Sequence, residues 1–158
     1  TAKWIVSNNN HMNHMTDTGT KGLDLYAWED DQWQFVNAGL PSGKENERTI
    51  ISNMSPNERE YMLFLPLYDG VDSLSIGIDS TAFIKNPAML YPDTESPVIV
   101  YGTSITQGGC ATRPGMSYTN ILTRSLNREF INLGFSGNGQ LDYERRMLQC
   151  SFSILYQM

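Results

Sequence analysis

The chain has only two cysteines, Cys110 and Cys150, in 158 residues. Two thiols cannot build the disulfide framework of a small secreted scaffold, and neither has the Cys or His neighbours that a zinc site needs, so both read as free thiols. A basic stripe is also missing. Eleven Lys and Arg stand against seventeen Asp and Glu for a formal charge of -6, and no basic cluster exceeds Arg145-Arg146. Such a surface offers phosphates nothing, which argues against nucleic acid as a partner. No run of about 18 apolar residues occurs, so no membrane span is expected. No charged-then-apolar leader opens the chain at Thr1. The compartment is left open by this; a leader ahead of Thr1 would send the protein to the periplasm or outside. Histidine is scarce, with His11 and His14 alone. They lie three apart with no third ligand nearby in sequence, so they read as loop or strand-end residues, and neither a metal nor a cofactor is expected. What is present is core material: 40% hydrophobic and 11% aromatic residues with 13 Gly and 7 Pro, enough for one ordinary domain or two small ones.

Up to about Lys85 the pattern is that of short strands. Leu23, Leu25 and Ala27 alternate with Asp24, Tyr26 and Trp28; Glu29-Asp30-Asp31-Gln32 breaks the run, and Trp33, Phe35 and Val36 resume it. This predicts a hairpin. Further runs at 48–52, 61–67 and 73–78 are separated by Pro41-Ser42-Gly43, Ser55-Pro56-Asn57 and Tyr68-Asp69-Gly70, all turn chemistry. Residues 1–86 are therefore expected to form a β-sandwich of jelly-roll type. Residues 87–97, which carry three prolines, are expected to be a semi-extended linker.

The grammar then changes. Val98-Ile99-Val100-Tyr101 is an unbroken apolar strand, as when both faces are covered, and Phe130-Ile131-Asn132-Leu133 is its expected parallel partner. Tyr118, Ile121, Leu122, Ser125 and Leu126 fall at helical spacing between them. The unit is a β-α-β crossover, the opening part of an α/β domain over 98–158. From Gln140 onward, Leu141, Met147, Leu148, Ile154, Leu155 and Met158 suggest a second helix. Two parallel strands and two helices cannot cover their own faces, so the second unit is expected to be incomplete, by truncation or a shifted reading frame.

Ligands of open parallel sheets sit beyond the carboxyl ends of the strands. Two segments fall there: Tyr101-Gly102-Thr103-Ser104-Ile105-Thr106-Gln107-Gly108-Gly109 and Asn132-Leu133-Gly134-Phe135-Ser136-Gly137-Asn138-Gly139. Neighbouring strands lie about 5 Å apart, so a hydroxyl after one and an amide after the other can face one atom. That suits a nucleophile and an oxyanion donor. A P-loop is excluded by the Gly102 to Gly108 spacing and the missing lysine. The G-x-S-x-G elbow fails at Thr106, and a dinucleotide fingerprint fails at Asp142.

These residues resemble the SGNH (GDSL-like) serine hydrolases. Ile99-Val-Tyr-Gly-Thr-Ser104-Ile-Thr-Gln-Gly is similar to their first block, and Asn132-Leu-Gly-Phe-Ser-Gly137-Asn-Gly to their second. The front half, with His14-Met15-Thr16 ahead of Gly22-Leu-Asp-Leu-Tyr26, is similar to a sandwich that precedes the catalytic domain in some bacterial members. The resemblance implies a flavodoxin-like α/β fold for 98–158 and ester hydrolysis without a metal, with Ser104 as nucleophile and the amides of Ser104 and Gly137 as oxyanion-hole donors. The family's Gly-x-Asn-Asp and Asp-x-x-His blocks do not occur in these 158 residues. A serine without its base loses orders of magnitude in rate, so this chain alone is expected to be inactive. The implied partner is an acylated small molecule or carbohydrate, plausibly an acetyl ester; the oligomeric state is left open.

Plainer roles compete at several positions. Ser104 suits a helix N-cap, Gly137 a turn needing positive φ, and Asn138 a cap for a following helix. Arg113-Pro114-Gly115 fits a substrate contact or an ordinary loop. Tyr26, Trp28 and Trp33 suit a sugar-stacking platform or cross-strand packing. The platform belongs to a rival reading, a non-catalytic carbohydrate-binding sandwich.

Overall fold

The structure, a computed structural model, describes residues 1–55, 57–87 and 96–140 and the backbone of 154–156. In β1 (Ala2–Val6), Ala2, Trp4 and Val6 point inward and alternate with Lys3 and Ile5. This strand is the centre of an antiparallel sheet with β4 (Glu45–Arg48) and β6 (Val71–Ile76). A second antiparallel sheet centres β2 (Leu23–Glu29) between β3 (Gln32–Gly39) and β5 (Tyr61–Phe64). Ala2, Trp4, Val6, Leu23 and Ile50 form the buried core, flanked by Leu25, Ile51, Leu63 and Val71. The Trp4 indole N–H donates to the Lys21 carbonyl at 2.9 Å, so its burial leaves no donor unpaired. Between β1 and β2, Thr16 caps the short helix α1 (Asp17–Lys21), its hydroxyl accepting from the Gly19 amide.

The expected hairpin is β2–β3. Its two turn residues, Asp30 and Asp31, have φ of 53 and 58°, the left-handed pair that matches the twist of the flanking strands. Three details differ from the sequence reading. The strand after the hairpin is Glu45–Arg48 rather than 48–52, because the Asn46 side chain ties the turn ahead of it, accepting from the Ser42 and Gly43 amides. The next runs shorten to Tyr61–Phe64 and Val71–Ile76. In β2 both faces are covered: Asp24 and Tyr26 are buried alongside Leu23 and Ala27. Alternation there does not separate core from solvent, and the register shifts between Leu25 and Tyr26.

The second unit is parallel. β7 (Val98–Gly102) is flanked by β8 (Phe130–Gly134) and β9 (Ile154–Tyr156). Of the helix expected after Gln140, residues 154–156 are instead a strand. Ile-Leu-Tyr is a short apolar run, and it pairs with the other edge of β7. The rest of that expected helix, and Cys150, lie outside the described residues. After β7 comes α2 (Ser104–Gln107), then a one-turn 3₁₀ helix at Pro114–Met116 and α3 (Tyr118–Leu126). The helix α3 stands where the periodicity put it, but its buried residues are Thr119 and Thr123, while Ile121 and Leu126 are exposed. The reason is polar: Asn132 of β8 donates to the Thr119 hydroxyl at 2.9 Å. No helix among the described residues is long and apolar enough to cross a membrane.

Candidate active site

The Ser104 turn follows from the end of β7. Gly102 closes the strand, Thr103 is the N-cap residue without a side-chain cap bond, and Ser104 is the first residue of α2. Ser104 thus does not occupy the capping position. It is half-buried, between exposed Thr103 and exposed Ile105. The helix lasts one turn and ends at Gly108, whose φ of 109° suits only glycine, with the Gly109 amide returning to the Ser104 carbonyl at 2.8 Å.

The glycine loop runs directly beside it. Gly102 and Gly134 are register partners of the parallel ladder, and the Phe135 amide continues it to the Gly102 carbonyl at 2.9 Å. Gly134 has no room for a side chain, since a Cβ there would lie 2.0 Å from the Gln107 amide nitrogen. A Cβ on Gly139 would lie 2.8 Å from the Gly102 carbonyl oxygen. Gly137, at the apex, is exposed with a φ of 72° and open space around it. Asn132 locks the arrangement, donating to the Thr106 carbonyl at 2.6 Å and accepting from the Gly134 amide at 2.8 Å. The Ser104 turn and the Gly134 to Gly139 loop therefore lie side by side at the carboxyl ends of adjacent strands.

The sandwich closes onto this turn. Gln107 donates from Nε2 to the Leu67 carbonyl at 3.0 Å and accepts the Ser136 amide at Oε1 at 2.8 Å. The Tyr68 hydroxyl donates to the Ser104 carbonyl at 3.1 Å. The loop after α2 packs on α1, where a Cβ on Gly19 would meet the Ala111 carbonyl oxygen at 2.2 Å. Farther along, the carboxylate of Asp24 accepts from the Gly115 amide and from Arg113, each at 2.8 Å. Burial raises the Asp24 pKa, against the lowering effect of Gly115, Arg113 and Arg124. Arg113 also bonds the Tyr26 hydroxyl and stacks 3.8 Å over Phe35, while Arg124 stacks 4.0 Å over Tyr26.

Arg113 and Gly115 are accordingly the docking contact between the two units. Tyr26 cannot serve a sugar platform, because it is 3% exposed beneath Arg124. Trp28 and Trp33 meet edge to face at 5.3 Å, and the Trp33 indole donates to Asn127, so the three aromatics do not present one flat face. His11 pairs with Asp17 at 2.7 Å and His14 with Asn13 at 2.9 Å, both exposed in the loop ahead of α1. Asn138 sits in a turn, its amide bonded to the Phe135 carbonyl; the helix it was expected to cap lies outside the described residues. Cys110 is a free, exposed thiol. Sequence reasoning missed Tyr68, Gln107 and Asn132. A glutamine three residues after the serine was the only local hint.

Two family models match the chain. One, GxDLY, describes the N-terminus of SGNH-hydrolase-type esterases and covers residues 1–84; the other is the GDSL-like lipase/acylhydrolase family and covers residues 95–150. The crystal structure of a candidate GDSL-like lipase from Bacteroides ovatus ATCC 8483 is similar at 40% identity with a TM-score of 0.88. The match covers 99% of this chain and 46% of that one, so the chain spans less than half the length of this relative. No curated protein matches. The name of the first model is spelled by Gly22-Leu23-Asp24-Leu25-Tyr26, two of whose side chains make the docking contact. With sandwich, turn and glycine loop all accounted for, the chain belongs to the SGNH (GDSL-like) hydrolase family, as its GxDLY front domain and the start of its α/β domain.

Proposed function

We propose that the α/β unit carries the nucleophile half of an acyl-ester hydrolase. In this reading the Ser104 hydroxyl attacks the acyl carbonyl, and the oxyanion forms against the amides of Ser104 and Gly137. The alcohol then leaves with a proton, and water releases the acyl group from the serine. The observation that supports it is the adjacency of the Ser104 turn and the glycine loop at the ends of β7 and β8. The base is the part these residues do not supply, since no Asp-x-x-His pair occurs in the 158 residues. The proposed substrates are acyl esters, acetyl groups on carbohydrate foremost.

The test is active-site labelling with a fluorophosphonate, mapped by mass spectrometry. This chain should label slowly at Ser104. The same chain extended by the part of the Bacteroides ovatus relative that it does not span should label about a thousandfold faster or more, and release acetate from acetylated oligosaccharides. An adduct that survives Ser104→Ala, or fast labelling of the chain by itself, overturns the corresponding half of the reading.

A further inference from the structure

We propose that Tyr68, delivered by the sandwich, is a positioning residue of the candidate site: its hydroxyl ties the Ser104 turn to the sandwich and so fixes where that turn stands beside the Ser136-Gly137 loop. This rests on the reading of Ser104 and Gly137 given above. The backbone around Tyr68 is anchored, because the Leu67 amide bonds the Gly19 carbonyl at 3.2 Å and the Tyr68 and Asp69 amides both bond the Thr20 carbonyl, at 3.3 and 3.0 Å. The side chain therefore extends from a fixed base. Its hydroxyl donates its one proton to the Ser104 carbonyl at 3.1 Å. It also fills the space over Gly109, where a Cβ would lie 3.0 Å from the Tyr68 oxygen.

Two features make this tie consequential. The helix α2 is a single turn of four residues, too short to hold its own geometry, so contacts from outside set where Ser104 points. A second bridge runs in parallel, since Gln107 joins the Leu67 carbonyl to the Ser136 amide. The dipeptide Leu67-Tyr68 thus holds α2 at both ends, Ser104 through the Tyr68 hydroxyl and Gln107 through the Leu67 carbonyl. Burial pushes the phenol upward from its ordinary value. The sandwich is on this account part of the catalytic centre rather than an appended module.

Tyr68→Phe removes the hydroxyl and keeps the ring. On the intact chain, amide hydrogen exchange at Gly109 and Ser136 should quicken about fivefold to tenfold, while amides of β1 and β2 stay unchanged. Fluorophosphonate labelling of Ser104 should slow by a similar factor, and Tyr68→Ala should add a loss of thermal stability that Tyr68→Phe does not show. Unchanged exchange at Gly109 and Ser136, or a uniform rise that includes β1 and β2, overturns the proposal. An adduct that persists in Ser104→Ala removes the nucleophile reading instead, and that failure is recognised because it does not depend on residue 68.

Discussion

Asp24 and Gly115 meet across 91 residues of sequence, the carboxylate of one accepting the amide of the other at 2.8 Å with no solvent on the acid. A Cβ on Gly115 would lie 2.7 Å from the same carboxylate oxygen and 2.6 Å from the Tyr26 ring, so the approach needs glycine. The second carboxylate oxygen, Oδ1, is buried and makes no hydrogen bond among the described residues. What the contact requires is an acceptor at one position, and burial of the acid disfavours its charge.

The variants should separate these requirements. Asp24→Ala leaves the Gly115 amide and Arg113 without their acceptor and should cost about 3 kcal/mol. Asp24→Asn keeps a neutral acceptor and should cost about 1 kcal/mol or less. Because the folded pKa is raised, the contribution of Asp24 is full below its unfolded value and diminishes as pH rises through the carboxylate range to the folded value. The gap between wild type and Asp24→Asn in urea unfolding should therefore narrow from pH 3 to pH 7.

Asp24 also marks the boundary of what the sequence made legible. The β2–β3 hairpin and the β7-α3-β8 crossover follow from local signals: two turn aspartates, an unbroken apolar strand, a helical period. The inward turn of Asp24 and Tyr26 does not, because the second face of β2 is covered by residues about ninety positions later. The helical period of α3 likewise does not reveal which face is buried, since Thr119 answers to Asn132 on another strand. Ser104 and Gly137 could be named because each lies just past a recognisable strand, in a block that resembles the family's, whereas Tyr68 reaches the turn from the other unit.

Asp69 should behave in the opposite sense to Asp24. Burial pushes its carboxyl up, but the amides of Asn10 and Asn8, at 2.8 and 3.0 Å, and the Asn8 side chain outweigh it, and the net shift is downward. A folded pKa below the unfolded one gives stability that is present above the carboxylate range and lost as pH falls through it. Asp69→Asn should cost about 1–2 kcal/mol at pH 7, and the difference from wild type should shrink below about pH 4. A constant difference from pH 7 to pH 3 would refute the assignment.

The glycine loop offers a steric test. At Gly134 an added methyl collides with the Gln107 backbone, which must retreat and take α2 with it. Gly134→Ala should cost about 1–3 kcal/mol and slow Ser104 labelling well beyond the effect of the stability loss. At Gly137 there is space, and alanine keeps the N–H, so the expense is the left-handed backbone alone, about 1 kcal/mol. Labelling of Gly137→Ala should remain within a few-fold of wild type. Equal labelling of both variants and wild type would mean that the loop does not face the reacting atom.

If Ser104 is a nucleophile without a base, it should respond to a diffusible one. Neutral imidazole added to the chain should raise the fluorophosphonate labelling rate at Ser104 in proportion to its concentration, with a pH profile that follows imidazole ionisation near about 6.5. The chain's own dyad is the competing source, since His11 Nδ1 already faces Asp17 in the arrangement that orients a catalytic imidazole. His11 stands in the exposed loop before α1 and Asp17 opens that helix, and His11→Ala should leave both the basal and the imidazole-driven rates unchanged. A drop in the basal rate in His11→Ala, with rescue by imidazole, would make His11 the base and would turn a loop histidine of the sandwich into a member of the site.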